Sequence, residues 1–138
     1  MANTAFRVKG NASLKGDLQP QGAKNEALQI VSAVLLTAEK VTIHNVPDII
    51  DVNLLINLLM GLGVKVTKAG HETFIFQADD IDLEYFGSEA YQQDAKKIRG
   101  SVMLLGPLLA RYGKAFLPKP GGDKIGRRRL DTHFLGFQ

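Results

Sequence analysis

The spacing of apolar residues changes several times along the chain, and each change predicts an element. AFRVKG (5–10) alternates and predicts a short strand, with a second expected through Leu14 in the turn-rich NASLKGDLQPQG (11–22). AKNEALQIVSAVLLTA (Ala23 to Ala38) carries apolar residues on most helical faces, which predicts a helix buried on nearly every side. KVTIHNV (40–46) returns to alternation and predicts a strand. Pro47 and Asp48 interrupt that pattern. Asp48 or Asp51 is expected to cap the next helix, DVNLLINLLMGLG (51–63), with Gly63 at its C-terminal end. VKVTKAG (64–70) and TFIFQA (73–78) predict two strands around a turn at Gly70.

After the acidic connector DDIDLEYFGSEAYQQD (79–94), a second buried helix is expected over AKKIRGSVMLLGPLLARYG (95–113), bent or broken at Pro107. A strand over KAFLPK (114–119), a Gly-rich loop and a helix start at LDTHFLGFQ (130–138) follow. This order repeats the first unit: Lys40 aligns with Lys114 and Asp51 with Asp131, offsets of 74 and 80. The extra residues of the second copy fall in PGGDKIGRRR, which makes that loop the place where function is added to a repeated scaffold. The second unit stops as its last helix begins, so the chain is expected to be the N-terminal part of a longer protein.

Composition narrows the picture. The chain has 138 residues, 45% hydrophobic and 22% charged, with a net charge of +3, an ordinary globular balance that does not by itself imply nucleic acid. With no cysteine there is no disulfide, thiolate metal site or thiol nucleophile. The start MANTAFRVKG lacks the apolar core of a signal peptide, and no apolar run is long enough to span a bilayer, so a cytoplasmic protein with no membrane partner is expected. His44, His71 and His133 show no metal-ligand spacing, and no aromatic residues interleave with the basic ones as an RNA platform requires.

Candidate chemistry concentrates in three places. In PKPGGDKIGRRRLD (118–131), Gly121 and Gly122 let the main chain approach a ligand, and Arg127, Arg128 and Arg129 offer planar forks for phosphate or carboxylate. A solvated basic turn is the plainer reading. The loop does not match GxxxxGK[ST], so nucleotide hydrolysis is unsupported. Asp123 in that loop reads either as an ion-pair partner of the arginines or as a general acid. Lys24 and Asn25 start the first buried helix, where an ammonium adds to the positive helix end, although a surface lysine would look the same. Arg99 lies in an otherwise apolar helix. It reads as a snorkelling or paired charge, but the repeat brings it within reach of the same anion as Lys24.

GAKNEAL (22–28), IRGSVMLLGPLLARYG (98–113) and PGGDKIGRRRLDTH (120–133) together resemble the UDP-N-acetylglucosamine enolpyruvyl transferase family, in family order and over the whole chain. The resemblance implies an α+β fold of repeated βαβαββ units, one complete and part of a second here, arranged in the whole enzyme as two similar lobes. Residues 1–21 would belong to the second lobe, and 22–138 would form an incomplete first lobe. It implies transfer of the enolpyruvyl group of phosphoenolpyruvate to the sugar 3-hydroxyl with release of phosphate, the first committed step of peptidoglycan synthesis. No metal or organic cofactor is implied.

By the same resemblance, Lys24 contacts phosphoenolpyruvate and is needed for catalysis, and Asn25 holds the sugar. Arg99 and Arg128 lie near the phosphate and the uridine diphosphate. Arg129, Leu130, Asp131 and Thr132 cradle the uridine, and Asp123 takes the place of the loop's general acid. Two positions depart from the family pattern. Most members have cysteine where this chain has Asp123, and proline is common where it has Arg129. A carboxylic acid can protonate the enol if the anionic substrates beside it raise its pKa. Fosfomycin alkylates the family's loop cysteine, so the aspartate implies resistance. The family's remaining site residues lie in later sequence, so this chain alone is expected to lack turnover and to be prone to self-association. A shikimate-pathway enolpyruvyl transferase is the first alternative, which AKN in place of a serine-containing motif argues against. The second is a non-catalytic RNA or anion-binding module using GRRR.

Overall fold

Phe76 has no exposed surface and sits at the centre of a three-stranded antiparallel sheet. The structure, a computed structural model, describes residues 5–121, 126 and 129–137. Strands β1 (Lys40–Ile43), β2 (Lys65–Lys68) and β3 (Phe74–Gln77) lie in the order β1-β3-β2, with Val41 and Val66 in register on either side of Phe76. Alternation puts these three residues on one face, and they join one core with Val31, Leu55 and Leu59 from the helices.

Helix α1 (Lys24–Ala33) tightens into a 3-10 turn at Val34–Leu36, so the expected first helix forms with a wound-up end. The Ser32 hydroxyl donates to the Leu28 carbonyl at 2.7 Å, which occupies an acceptor of the preceding turn. Helix α2 (Ile50–Gly61) ends on Gly63, whose φ of +97° is open to glycine. The Gly63 N–H donates to Met60 and the Val64 N–H to Leu59, a complete Schellman closure. At the other end, Ile49 is the N-cap and makes no side-chain cap bond, so neither expected aspartate caps α2. Asp48 instead accepts from the Asn53 amide at 2.7 Å, and Asp51 turns to Lys24.

The second unit departs further from expectation. Within the supposed connector lie a 3-10 turn (Glu84–Gly87) and helix α3 (Glu89–Lys97). The Ser88 side chain caps α3 by accepting from the Tyr91 N–H at 3.1 Å, and Glu89 and Lys96–Lys97 complement the helix dipole at its two ends. The long helix expected over 95–113 is broken at Ile98, not at Pro107. Ile98 is extended, a 3-10 turn covers Arg99–Leu104, and α4 (Leu105–Tyr112) follows. Pro107 falls in the first turn of α4, where its missing N–H costs no helix bond.

Three expected strands do not form: those at 5–10 and through Leu14, and that at 114–119. Residues 5–22 make no ladder, and Phe6, Val8, Leu14 and Leu18 are exposed. Residues 114–119 are likewise unpaired, since among the described residues no strand lies beside them. A strand without a ladder partner has nothing to hold it. The 114–119 segment is instead tied down by side chains: the Tyr91 hydroxyl donates to the Phe116 carbonyl at 2.7 Å, and Ala115 and Leu117 pack on the core. Helix α5 (Asp131–Gly136) buries no residue. No helix among the described residues is long and apolar enough to cross a membrane.

Burial holds the Tyr91 hydroxyl in its neutral form and pushes its pKa up to about 12, from an ordinary 10. A raised folded-state pKa favours the protonated fold, so this contribution is complete below pH 10 and lost as pH rises towards 12. Tyr91→Phe removes the bond to Phe116 and is expected to lower stability by about 1–2 kcal/mol at pH 8. The gap from the wild type should close between pH 10 and 12. Urea titrations of both proteins across that range check it.

Candidate functional site

Gly22 approaches the chain so closely that a Cβ there would fall on the backbone carbonyl oxygen of Asn45. Asn45 itself adopts a left-handed φ of +57°, which turns that carbonyl toward Gly22 at the end of β1. This contact fixes where α1 begins, and therefore where Lys24 and Asn25 stand in its first turn. Ala23, the N-cap of α1, provides no side-chain cap, so the positive end of the helix is left for other partners.

The second wall of the site comes from the break at Ile98. The Ser101 hydroxyl is buried and shares its one proton between the carbonyls of Ala95 (2.9 Å) and Ile98 (2.8 Å), closing the end of α3. A Cβ on Gly100 would lie 3.0 Å from the Leu28 side chain, so glycine allows the new turn to press against α1. Arg99 thus starts a fresh turn at a cleft edge, whereas the sequence placed it inside a continuous helix. Gly121, the first glycine of the loop, lies where a Cβ would meet the Lys96 carbonyl, so the loop departs from the end of α3.

Between these walls opens a cleft of about 460 Å³. Lys24, Asn25, Arg99, Arg129 and Leu130, all candidates from sequence, line it. Asp131 and Thr132 do not; they lie exposed at the start of α5, with Asp131 Oδ2 3.6 Å from Arg129 Nε. Asp123 and Arg128 lie outside the described residues. Sequence reasoning did not place three titratable lining residues at the site: Asp51, Lys97 and His133. Lys97 follows once α3 is recognised from Ser88 and Glu89, because it is then the last residue before the break.

Among the described residues, Lys24, Lys97, Arg99 and Arg129 set four cations against one lining carboxylate, Asp51. Lys24 Nζ lies 3.0 Å from Asp51 Oδ2, and Lys97 Nζ lies 2.6 Å from Asp94 Oδ1. These pairs are partly exposed and exchange readily with another anion. With two further surfaces contributed by a helix start and a 3-10 turn start, the cleft suits a ligand carrying several negative charges. Among the described residues no group of three or more His, Asp or Glu is placed to hold a metal ion.

Residues 8–138 match the model of the family described as EPSP synthase (3-phosphoshikimate 1-carboxyvinyltransferase). The chain belongs to the EPSP synthase family. Within it, the chain is 56% identical over 134 residues to a protein of Bacteroides thetaiotaomicron named UDP-N-acetylglucosamine 1-carboxyvinyltransferase. It is 55% identical to a Porphyromonas gingivalis protein of the same name. Each alignment covers 97% of this chain and 31% of the relative, so the chain spans about a third of the length of the curated relatives it matches. The fold also matches a crystal structure of the enolpyruvyl transferase NikO from Streptomyces tendae, with a TM-score of 0.62 and 28% identity over 75% of this chain and 23% of that one. The α+β reading of an enolpyruvyl transferase fold therefore holds for this member of the EPSP synthase family, although its first and last expected strands are absent.

Because Gly22 sets the start of α1 against a backbone atom that cannot rotate away, Gly22→Ala is expected to cost about 1–3 kcal/mol. Gly16→Ala, at a glycine with nothing within 4 Å, should stay within about 0.5 kcal/mol of the wild type. Chemical denaturation of the two variants provides the comparison. Equal losses would show that the close approach does not constrain α1.

Proposed function

We propose that residues 22–138 form an incomplete first lobe of a UDP-N-acetylglucosamine enolpyruvyl transferase, a cytoplasmic enzyme of peptidoglycan synthesis that serves cell shape and division. The observation that carries the reading is the convergence of Lys24, Asn25, Arg99 and Arg129 on one cleft from separate parts of the sequence. The names of the most similar curated relatives support the sugar nucleotide over shikimate 3-phosphate as acceptor. In this reading Lys24 and the start of α1 hold phosphoenolpyruvate, Asn25 orients the sugar, and Arg99 and Arg128 take the phosphate and diphosphate charge. Arg129, Leu130, Asp131 and Thr132 follow the uridine.

Asp123 then donates a proton to carbon-3 of the enol as the sugar 3-hydroxyl oxygen bonds to carbon-2 and gives its own proton to a general base on the enzyme's other lobe. Loss of phosphate from carbon-2 and of a proton from carbon-3 restores the double bond. The chemistry needs no metal and no organic cofactor. Residues 1–21 are assigned to the second lobe: Phe6, Val8, Leu14 and Leu18 are each at least 90% exposed, which suits a segment whose apolar side chains pack on another surface. The same side chains favour self-association of the chain when it is alone.

Titration calorimetry tests the reading directly. UDP-N-acetylglucosamine should bind the 138-residue chain, and Arg99→Ala should weaken that binding by about tenfold or more. Phosphate release from phosphoenolpyruvate should be absent, because catalysis needs both lobes around the substrates. Binding of shikimate 3-phosphate in place of the sugar nucleotide would establish the sister activity. Salt-sensitive RNA binding without sugar-nucleotide binding would establish a non-catalytic module.

A second expectation concerns fosfomycin. A carboxylate is a weak nucleophile towards its epoxide, so the complete enzyme should show no time-dependent inactivation, and Asp123→Cys should gain it. Covalent label on Asp123 in the unmodified enzyme would show this to be wrong.

A further inference from the structure

The carboxylate of Asp51 lies in the cleft, 3.0 Å from the ammonium of Lys24, and joins residues 27 apart in sequence. Asp51 is in the first turn of α2 and Lys24 in the first turn of α1, so two helix starts meet at this pair. Asp51 does not cap its own helix. Asp48, the other acid at that end, is engaged with Asn53. The Asp51 side chain is thus committed to the cleft, and among the described residues that line it Asp51 alone carries a carboxylate.

We infer that Asp51 is a resident counterion for Lys24, a positioning residue that holds the ammonium in the cleft until a carboxylate or phosphate group of the substrate displaces it. This rests on the proposed site for phosphoenolpyruvate. A carboxylate bound to an ammonium presents a charge and geometry like those of an anionic substrate group, so Asp51 stands at Lys24 as a substrate carboxylate or phosphate would. The pair is suited to exchange. Its two side chains are 51% and 41% exposed, and a contact that open to water is weak. An incoming dianion gains Arg99 and the uncapped start of α1 as well as Lys24, and so outcompetes a single carboxylate. Asp51 stays anchored to α2 after displacement, ready to recapture Lys24 on product release.

The readout is the rate at which an acylating reagent labels the Lys24 amine in the 138-residue chain, followed by mass spectrometry with phosphoenolpyruvate as the probe ligand. Asp51→Asn should raise the Lys24 labelling rate about two- to fivefold, the range a half-exposed pair supports. It should also lower, by a similar factor, the phosphoenolpyruvate concentration that protects Lys24. Asp51→Glu keeps the charge and should label at nearly the wild-type rate, which separates loss of the counterion from damage to α2. An unchanged labelling rate in Asp51→Asn, or protection at equal concentrations in both proteins, overturns the inference. Faster labelling in Asp51→Asn with no protection in either protein shows a structural pair only; it sinks displacement by substrate and, separately, the reading of the cleft as a phosphoenolpyruvate site.

Discussion

The guanidinium of Arg111 ties the two units of this chain together. The two N–H groups of its Nη1 are shared among the carbonyls of Leu35 at 3.0 Å, Thr37 at 2.8 Å and Ala78 at 2.8 Å. These oxygens belong to the end of the first buried helix, the approach to β1 and the exit from β3, all places where backbone acceptors run out of ladder or helix partners. Leaving one such buried acceptor without a donor costs about 1–3 kcal/mol. A single side chain on α4 therefore satisfies three element ends of the first unit. Its ring neighbour Tyr112, 4.9 Å from the guanidinium carbon, limits the directions the charge can take.

That tie acts at one end of the first helix, and the contact of Gly22 with Asn45 acts at the other. With both ends held, the helix offers a fixed wall for the turn at Arg99–Leu104 to pack against through Gly100 and Leu28. The cleft is the space left between the held helix start and the break at Ile98. Its described cations come from three separate stretches, at 24, 97–99 and 129, so no single local motif assembles them. Lys24 depends on Gly22, Arg99 on Ser101 and Lys97 on the cap of α3.

The sequence was most legible where an element's stability is local or is written in a strong apolar period. The first buried helix, α2 with its Gly63 closure, and the hairpin of β2 and β3 all fall within a few residues of expectation. Helix α3 was missed because it buries only Tyr91 and Ala95, too few residues to print a helical period. Ser88, Glu89 and the two lysines at its end were a better signal than hydrophobicity. The break at Ile98 was misplaced to Pro107 because a buried serine that bonds two carbonyls leaves no periodic trace. Residues 5–10 and 114–119 have strand-like alternation, but alternation specifies a face and not a partner. That Lys24, Asn25, Arg99, Arg129 and Leu130 share one cleft was legible by residue type. Asp51 was not, because its role depends on a contact between two helix starts.

The cleft as it stands is electrostatically weak, and that has a bearing on how the proposed chemistry would run. Lys24 is 51% exposed and Arg129 69% exposed, so water screens both. At an effective dielectric near that of bulk water two charges 4 Å apart interact by about 1 kcal/mol, and by several times that once water is excluded. Raising the pKa of an acid such as Asp123 by neighbouring substrate anions requires the second condition, because in open solvent the arginines of its own loop would dominate and lower it. The same exclusion of water would make displacement of Asp51 from Lys24 by substrate more decisive. The charges gathered here are therefore those of a binding surface, and their conversion into a catalytic one depends on a second surface closing over them.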